Sequence, residues 1–232
     1  MITIRKSQDR GYAKHDWLES FHSFSFADYY DAAHMGYSML RVINQDKIAA
    51  GTGFGMHGHR DMEIITYMLD GELKHQDSMG NGSIIRADDV QYMSAGAGVR
   101  NSEINPSAEH EAHLLQIWLL PSVLGLPPNY AEKHFLPEQK RNCWCLVVSS
   151  DGREGSIQIQ QAVDLYASVL DAGSQLSKTL QDNRRAYLQI AKGEVQCNGV
   201  QLSAGDAAKI EAETAIELIA MTEAEVLWFD LP

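Results

Sequence analysis

Apolar residues in this chain come in short runs that alternate with polar ones, and glycine or Asn-Gly steps close many of the runs. Long stretches with apolar residues three and four positions apart are nearly absent. A two-residue period places alternate side chains on opposite faces of a strand. The pattern predicts strands over residues 2–5, 23–26, 38–43, 64–69, 72–75, 90–94, 113–119, 145–149, 157–160, 165–170, 186–190, 207–210, 215–220 and 226–231. Many short strands separated by turn signals predict an all-β chain built as sandwiches or barrels. Residues 121–139 hold four prolines and break the pattern, so they read as an irregular connection. The expected domains are therefore 1–125 and 126–232.

The two halves share an order of signals. Leu69-Asp70-Gly71-Glu72-Leu73 precedes Asn81-Gly82 and then Ala87-Asp88-Asp89; Ala191-Lys192-Gly193-Glu194-Val195 precedes Asn198-Gly199 and then Ala204-Gly205-Asp206. Asn-Gly is the favoured hairpin turn, so both halves are read as copies of one unit.

Imidazoles distinguish the copies. His57 and His59 stand one residue apart in GTGFGMHGHRDMEIITYMLDG and share a strand face. Counting equal offsets back from Gly193 gives Thr179 and Gln181, which leaves the second copy without them. A later segment, SAGAGVRNSEIN, repeats the spacing with Asn101 and Glu103. Two imidazoles buried inside a barrel cost desolvation that Val or Leu would avoid. The expectation is that His57, His59 and Glu103, with Asn101 as a weaker fourth donor, converge on one metal ion. Two His and a carboxylate with open positions suit non-haem Fe(II), while Cu, Ni, Co and Mn remain alternatives. Glu103 has a second role open to it, as a base that takes a proton from a bound hydroxyl. Glu63, of the same parity, is assigned a supporting or structural role. His75 and His113 are read as buried, hydrogen-bonded histidines. Phe24, Phe26, Met56, Tyr67, Met93 and Trp118 are candidates for an apolar wall or for plain core.

Composition narrows the function classes. The net charge is −12, with 19 basic against 31 acidic residues, which disfavours direct nucleic-acid binding. No run approaches the length of a membrane span, and no secretory leader is visible. Three cysteines without such a leader suggest reduced thiols and a cytoplasmic location.

HDWLESFHSFSFADYYD, GYSMLRVINQD, HGHRDMEIITYMLDGELKHQDSMGN, MSAGAGVRNSEINPS, HLLQIWLLP and WFDLP resemble the pirin family across nearly the whole chain. The resemblance implies a bicupin: two facing β-barrel (double-stranded β-helix, or jelly-roll) domains with one mononuclear divalent metal, usually iron, in the first. Pirins hold that ion with three His and one Glu. His57, His59 and Glu103 match that set, and Asn101 falls where the family has His. Bacterial pirin-like proteins are associated with quercetin 2,3-dioxygenase activity, which implies a planar flavonol and O2 as substrates. Animal members are associated with transcriptional co-regulation through protein partners, which implies the alternative of a non-catalytic metal- or redox-sensing module. The resemblance also implies a monomer.

Overall fold

The computed structural model describes residues Met1 to Pro232. Strands dominate, and the only α-helix is the single turn α1 (Pro137–Lys140). No helix is long and apolar enough to cross a membrane.

Two compact units divide the chain, and their boundary differs from the expected one. Met1–Arg10, Phe135–Gln158 and Ala162–Pro232 form one unit; Gly11–His134 with Ile159–Gln161 form the other. Backbone pairing explains the difference. The opening strand β1 (Ile2–Arg5) pairs with β18 (Ala207–Ile210), so the first residues join the trailing unit. The proline-rich connection contains a strand, β10 (Asn129–His134), which pairs with β8 (Asp89–Ile104) and keeps residues up to His134 in the leading unit. Proline spacing conceals β10, whose pairing partner lies far away in sequence.

The leading unit is a nine-stranded sheet. Its other members are β2 (Gly11–Lys14), β3 (Leu18–His22), β4 (Leu40–Ile48), β5 (Gly53–Asp70), β6 (Glu72–Asp77), β7 (Gly82–Arg86) and β9 (Ala112–Leu119). The order is β2-β3-β4-β9-β5-β8-β6-β7, with β10 also on β8. Residues 23–26, expected as a strand, are irregular; β3 ends at His22, and Phe26 makes an isolated bridge to Tyr29.

The trailing unit has two sheets. One runs β1-β18-β15-β20-β13-β11-β12, adding β11 (Cys145–Ser149), β12 (Ile157–Gln158), β13 (Asp164–Leu170), β15 (Arg185–Lys192) and β20 (Ala224–Leu231). The other runs β14-β19-β16-β17, from β14 (Gln175–Thr179), β19 (Ala215–Ala220), β16 (Glu194–Cys197) and β17 (Val200–Ser203).

The internal repeat is visible in the backbone. Gly71 and Gly193 both adopt positive φ, at 72° and 74°. A Cβ at either would lie 2.4 or 2.0 Å from the carbonyl oxygen of the residue just before a strand, Glu111 or Glu223, so each step demands glycine. Asn198-Gly199 forms the expected two-residue turn with φ of 45° and 82°. In the leading unit Gly82 already belongs to β7, and residues 78–81 make a longer loop.

Pairing register aligns the copies more accurately than counting. Three residues after the shared glycine, Lys74 pairs with Ile104 and Gln196 with Ile219. Asn101 therefore matches Ile216, and Glu103 matches Leu218. Across the next strand, His57 faces Asn101 and Lys178 faces Ile216. The equivalent of His57 is thus Lys178, not Thr179. Counting fails because Lys178 stands fifteen residues before Gly193 whereas His57 stands fourteen before Gly71: the trailing copy breaks the long strand β5 into β14 and β15, and the residues 180–184 between them add one to the count. Ile216 and Leu218 are buried in one continuous apolar cluster with Leu188 and Trp228, so the trailing unit has filled its ligand positions with core. In the leading unit the apolar interior is split between a cluster around Ile48, Met68 and Leu73 and another around Ile64, Met93 and Val99.

Candidate metal centre

A cavity of about 310 Å³ opens in the leading unit. Its wall includes His57, His59, Asn101 and Glu103, together with Trp17, Phe26, Phe54, Ile64 and Trp118. Alternation along β5 turns His57 and His59 inward while Gly58 and Arg60 are exposed. The Nε2 atoms of the two imidazoles stand 2.9 Å apart. Two nitrogens about 2.1 Å from one ion and at right angles to each other are about 3.0 Å apart. The outer nitrogen of His57, Nδ1, lies 2.8 Å from the Gly55 carbonyl oxygen. Donation of the Nδ1 proton to that carbonyl leaves the lone pair on Nε2, facing His59, and such outer-nitrogen bonds orient ligand imidazoles. Burial first, and the neighbouring His57 second, lower the His59 pKa to about 4. The His59 ring is therefore neutral near pH 7, and Trp118 packs edge-on against it with centroids 5.1 Å apart.

Asn101 sits opposite His57 on β8. It is 1% exposed, and its Oδ1 is buried with no hydrogen-bond partner. An orphaned buried acceptor of that kind is uncommon and marks a place where a cation or water completes the structure.

Glu103 is buried too, but it is held from another side. Gln116 Nε2 donates to both carboxylate oxygens at 3.2 and 3.4 Å, and the Thr66 hydroxyl contributes a further bond. Burial raises the Glu103 pKa; His75, His57 and these donors pull it partly back. No three His, Cys, Asp or Glu side chains are drawn together as a metal cage. Of the expected convergence, the structure assembles the imidazole pair, with the Asn101 oxygen and the Glu103 carboxylate on the same cavity wall. The donor set, two neutral imidazoles with an unmatched amide oxygen and a buried carboxylate, fits a borderline divalent metal.

Other candidates have structural roles. Glu63 Oε2 accepts from the Tyr92 hydroxyl and the Gln160 backbone N–H, both at 2.8 Å. The bulge at Asp61, where φ is 64°, breaks the parity that linked Glu63 to the histidines. His75 is buried, with Gln91 Nε2 3.0 Å from Nδ1 and Tyr130 stacked at 4.9 Å. His113 Nε2 lies 2.9 Å from Gln45 Nε2. Of the expected apolar wall, Phe26 and Trp118 line the cavity. Phe24, Tyr67 and Met93 are core, and Met56 is exposed.

Sequence reasoning missed a polar belt. His22, Asn44, Gln116 and Thr66 pair in one row across β3, β4, β9 and β5. Beside them Ser20 pairs with Asp46, and the Ser20 hydroxyl donates to the Asp46 carboxylate. The legible signal was parity: Ser20 and His22 share the buried face of β3 with Leu18. Burial pushes the Asp46 pKa up to about 7, with Glu103 adding to the rise and Ser20 opposing it. A folded-state pKa above the unfolded value contributes stability below the unfolded pKa, near 4, and loses it as pH rises through 7. Comparison of urea denaturation at pH 4.5 and pH 8 should therefore show wild type losing on the order of 2–4 kcal/mol relative to Asp46→Asn. Parallel pH profiles for the two proteins would refute the assignment.

A family model described as Pirin matches residues 3–119, and one described as Quercetinase C-terminal cupin domain matches residues 146–231. The chain belongs to the pirin family. This pirin has the expected all-β, two-domain cupin fold. It is 47% identical over 232 residues to a protein named quercetin 2,3-dioxygenase from Escherichia coli (strain K12), covering 100% of this chain and 99% of that one. A pirin-like protein of Caulobacter vibrioides is 40% identical over 232 residues, covering 99% of both chains. The crystal structure of the bacterial pirin YhhW from Escherichia coli in complex with nickel(II) matches with a TM-score of 0.95 at 46% identity, covering 100% of this chain and 99% of that one.

Proposed function

We propose that this pirin is a metal-dependent dioxygenase that opens the ring of a flavonol such as quercetin with O2. One mononuclear divalent ion is held by His57, His59 and Glu103, with the Asn101 amide oxygen as fourth donor. The observation that carries this reading is the pair of Nε2 atoms 2.9 Å apart, with the outer nitrogen of His57 engaged by a backbone carbonyl. The relatives named as quercetin 2,3-dioxygenases and the nickel(II) complex of a 46%-identical pirin support it. When bound, the ion supplies Lewis-acid activation of a hydroxyl and a site for O2. Iron is the first choice of metal, and Cu, Ni, Co or Mn suits the same donors.

The chain's own residues do the rest. Glu103, whose pKa is raised by burial, takes the proton of the flavonol 3-hydroxyl. Trp118, Phe26 and Phe54 flank the planar rings and exclude water from the deprotonated substrate. Atoms balance when both oxygens of O2 enter the substrate, one ring opens and carbon monoxide leaves.

Aerobic turnover of quercetin by protein loaded in turn with each metal, with carbon monoxide as a second readout, tests the proposal. Turnover above that of free metal is expected for at least one metal; failure with all five removes the activity.

Asn101 favours a second reading. With an amide in place of the family imidazole and no three-carboxylate-or-imidazole cage, the site suits a weak metal or redox sensor acting through a protein partner. Purified protein that holds no metal and cannot be reconstituted would favour that reading.

A further inference from the structure

The polar lining of the cavity continues beyond the metal donors. His57 and His59 lie on β5, and Asn101 and Glu103 on β8. Ser20 and His22 lie on β3, and Asn44 and Asp46 on β4. Strand β9 separates β4 from β5 in the sheet, and its Gln116 pairs with Asn44 on one side and donates to Glu103 from the other. Trp17, Phe26, Phe54 and Trp118 line the same cavity.

This further polar group is costly if its role is only structural. Asp46 is 3% exposed and lines the cavity. Its one bond is from the Ser20 hydroxyl, and no cation pairs with it. Its neighbours along the same cross-strand row are Leu114 on β9 and Met68 on β5, so an apolar pair in place of Ser20 and Asp46 would continue the core at no desolvation cost. Nearby, His22 Nδ1 lies 2.8 Å from Asn44 Oδ1, which fixes the ring in place.

We propose that Ser20, His22 and Asp46 form a hydroxyl-binding subsite, which seats the hydroxyls of the substrate ring remote from the His57–His59 pair. This assignment rests on the flavonol reading of the same cavity. The carboxyl of Asp46 offers acceptor oxygens whether or not it carries a proton, so it suits a phenolic O–H. The Ser20 hydroxyl and the His22 ring stand beside it for a second, vicinal hydroxyl. The ligand class is a flat polyphenol that carries hydroxyls on more than one ring, matching a cavity with aromatic walls and polar groups on β3 and β4 as well as on β5 and β8. A site built to hydrogen-bond a hydroxyl discriminates strongly against the analogue that lacks it.

The test is equilibrium binding, read by quenching of the cavity tryptophans Trp17 and Trp118. Two flavonols serve as probes: quercetin, with a catechol ring, and galangin, with that ring unsubstituted. Wild type should bind quercetin about tenfold or more tightly than galangin, since leaving a buried polar group without its hydrogen-bond partner costs on this scale. Asp46→Ala and Ser20→Ala should bring the ratio to about one to three while leaving galangin affinity within about threefold. Asp46→Asn, which keeps the side-chain volume, should fall between and serves if the alanine variant does not fold. An unchanged ratio in all folded variants, or an equal loss for both flavonols, overturns the subsite. Repeating the binding with His57→Ala separates the two proposals. Loss of turnover with the ratio intact leaves the subsite standing, whereas a wild type that binds both flavonols equally removes the subsite whatever its turnover.

Discussion

His57→Ala should lower metal affinity by at least about 100-fold, and quercetin turnover with it. Outer partners of ligand imidazoles alone are worth about 10- to 100-fold in affinity, and losing the ligand itself exceeds that. His57 is half-buried and its only hydrogen bonds are to Gly55 and His59, so stability should change by less than about 0.5 kcal/mol. Metal-to-protein ratio by elemental analysis and a urea melt on the same sample separate the two effects. A variant that loses stability but keeps its metal would make the imidazole pair a structural feature. The converse variant, Asn101→His, should raise affinity, because an imidazole, the stronger donor for a borderline metal, replaces a buried amide oxygen that has no hydrogen-bond partner. An Asn101→His protein that binds no more metal than wild type would show that Asn101 points at something else.

The second large effect concerns the fold. Gly193→Ala should cost more than about 3 kcal/mol. The residue has φ of 74°, which alone disfavours an L side chain by about 1–2 kcal/mol. The new Cβ would also meet the Glu223 carbonyl oxygen at 2.0 Å, with further backbone atoms at 2.8 and 2.9 Å. Ala224, next to that carbonyl, begins β20 and pairs with Leu170, so these atoms have little freedom to retreat. Gly51→Ala is the control: its φ is 69°, but nothing lies within 4 Å of the added Cβ, so only the conformational term of about 1 kcal/mol applies. Denaturation midpoints for the two variants test the contrast. Equal costs would mean that backbone conformation, not the close approach, is what makes Gly193 necessary.

Much of this could be read directly from the residues. The alternating pattern announced an all-β chain, and Gly71 with Gly193 revealed the duplication because a positive φ against a neighbouring carbonyl admits no other residue. The inward pair His57 and His59 was legible because strand parity is strictly local. The failures share one cause. Residues 1–10 joined the trailing unit through β1 and β18, and β10 emerged inside a proline-rich connection; both pairings join segments distant in sequence, which a local pattern does not record. Lys178 replaced Thr179 as the counterpart of His57 because the trailing copy holds one more residue before its glycine, in the break between β14 and β15. The irregular pairing at Asp61 removed Glu63 from the histidine face.

The sequence by itself determined the strand-rich duplicated architecture and the residues with metal-binding chemistry, because alternation, glycine geometry and imidazole spacing act over a few positions. Only the tertiary structure decided which donors share a cavity. It set Glu103 against Gln116 and Thr66, left the Asn101 oxygen unmatched, and brought Ser20, His22 and Asp46 to the same cavity. Those placements depend on the register between strands that are remote along the chain, and register is a property of the folded sheet.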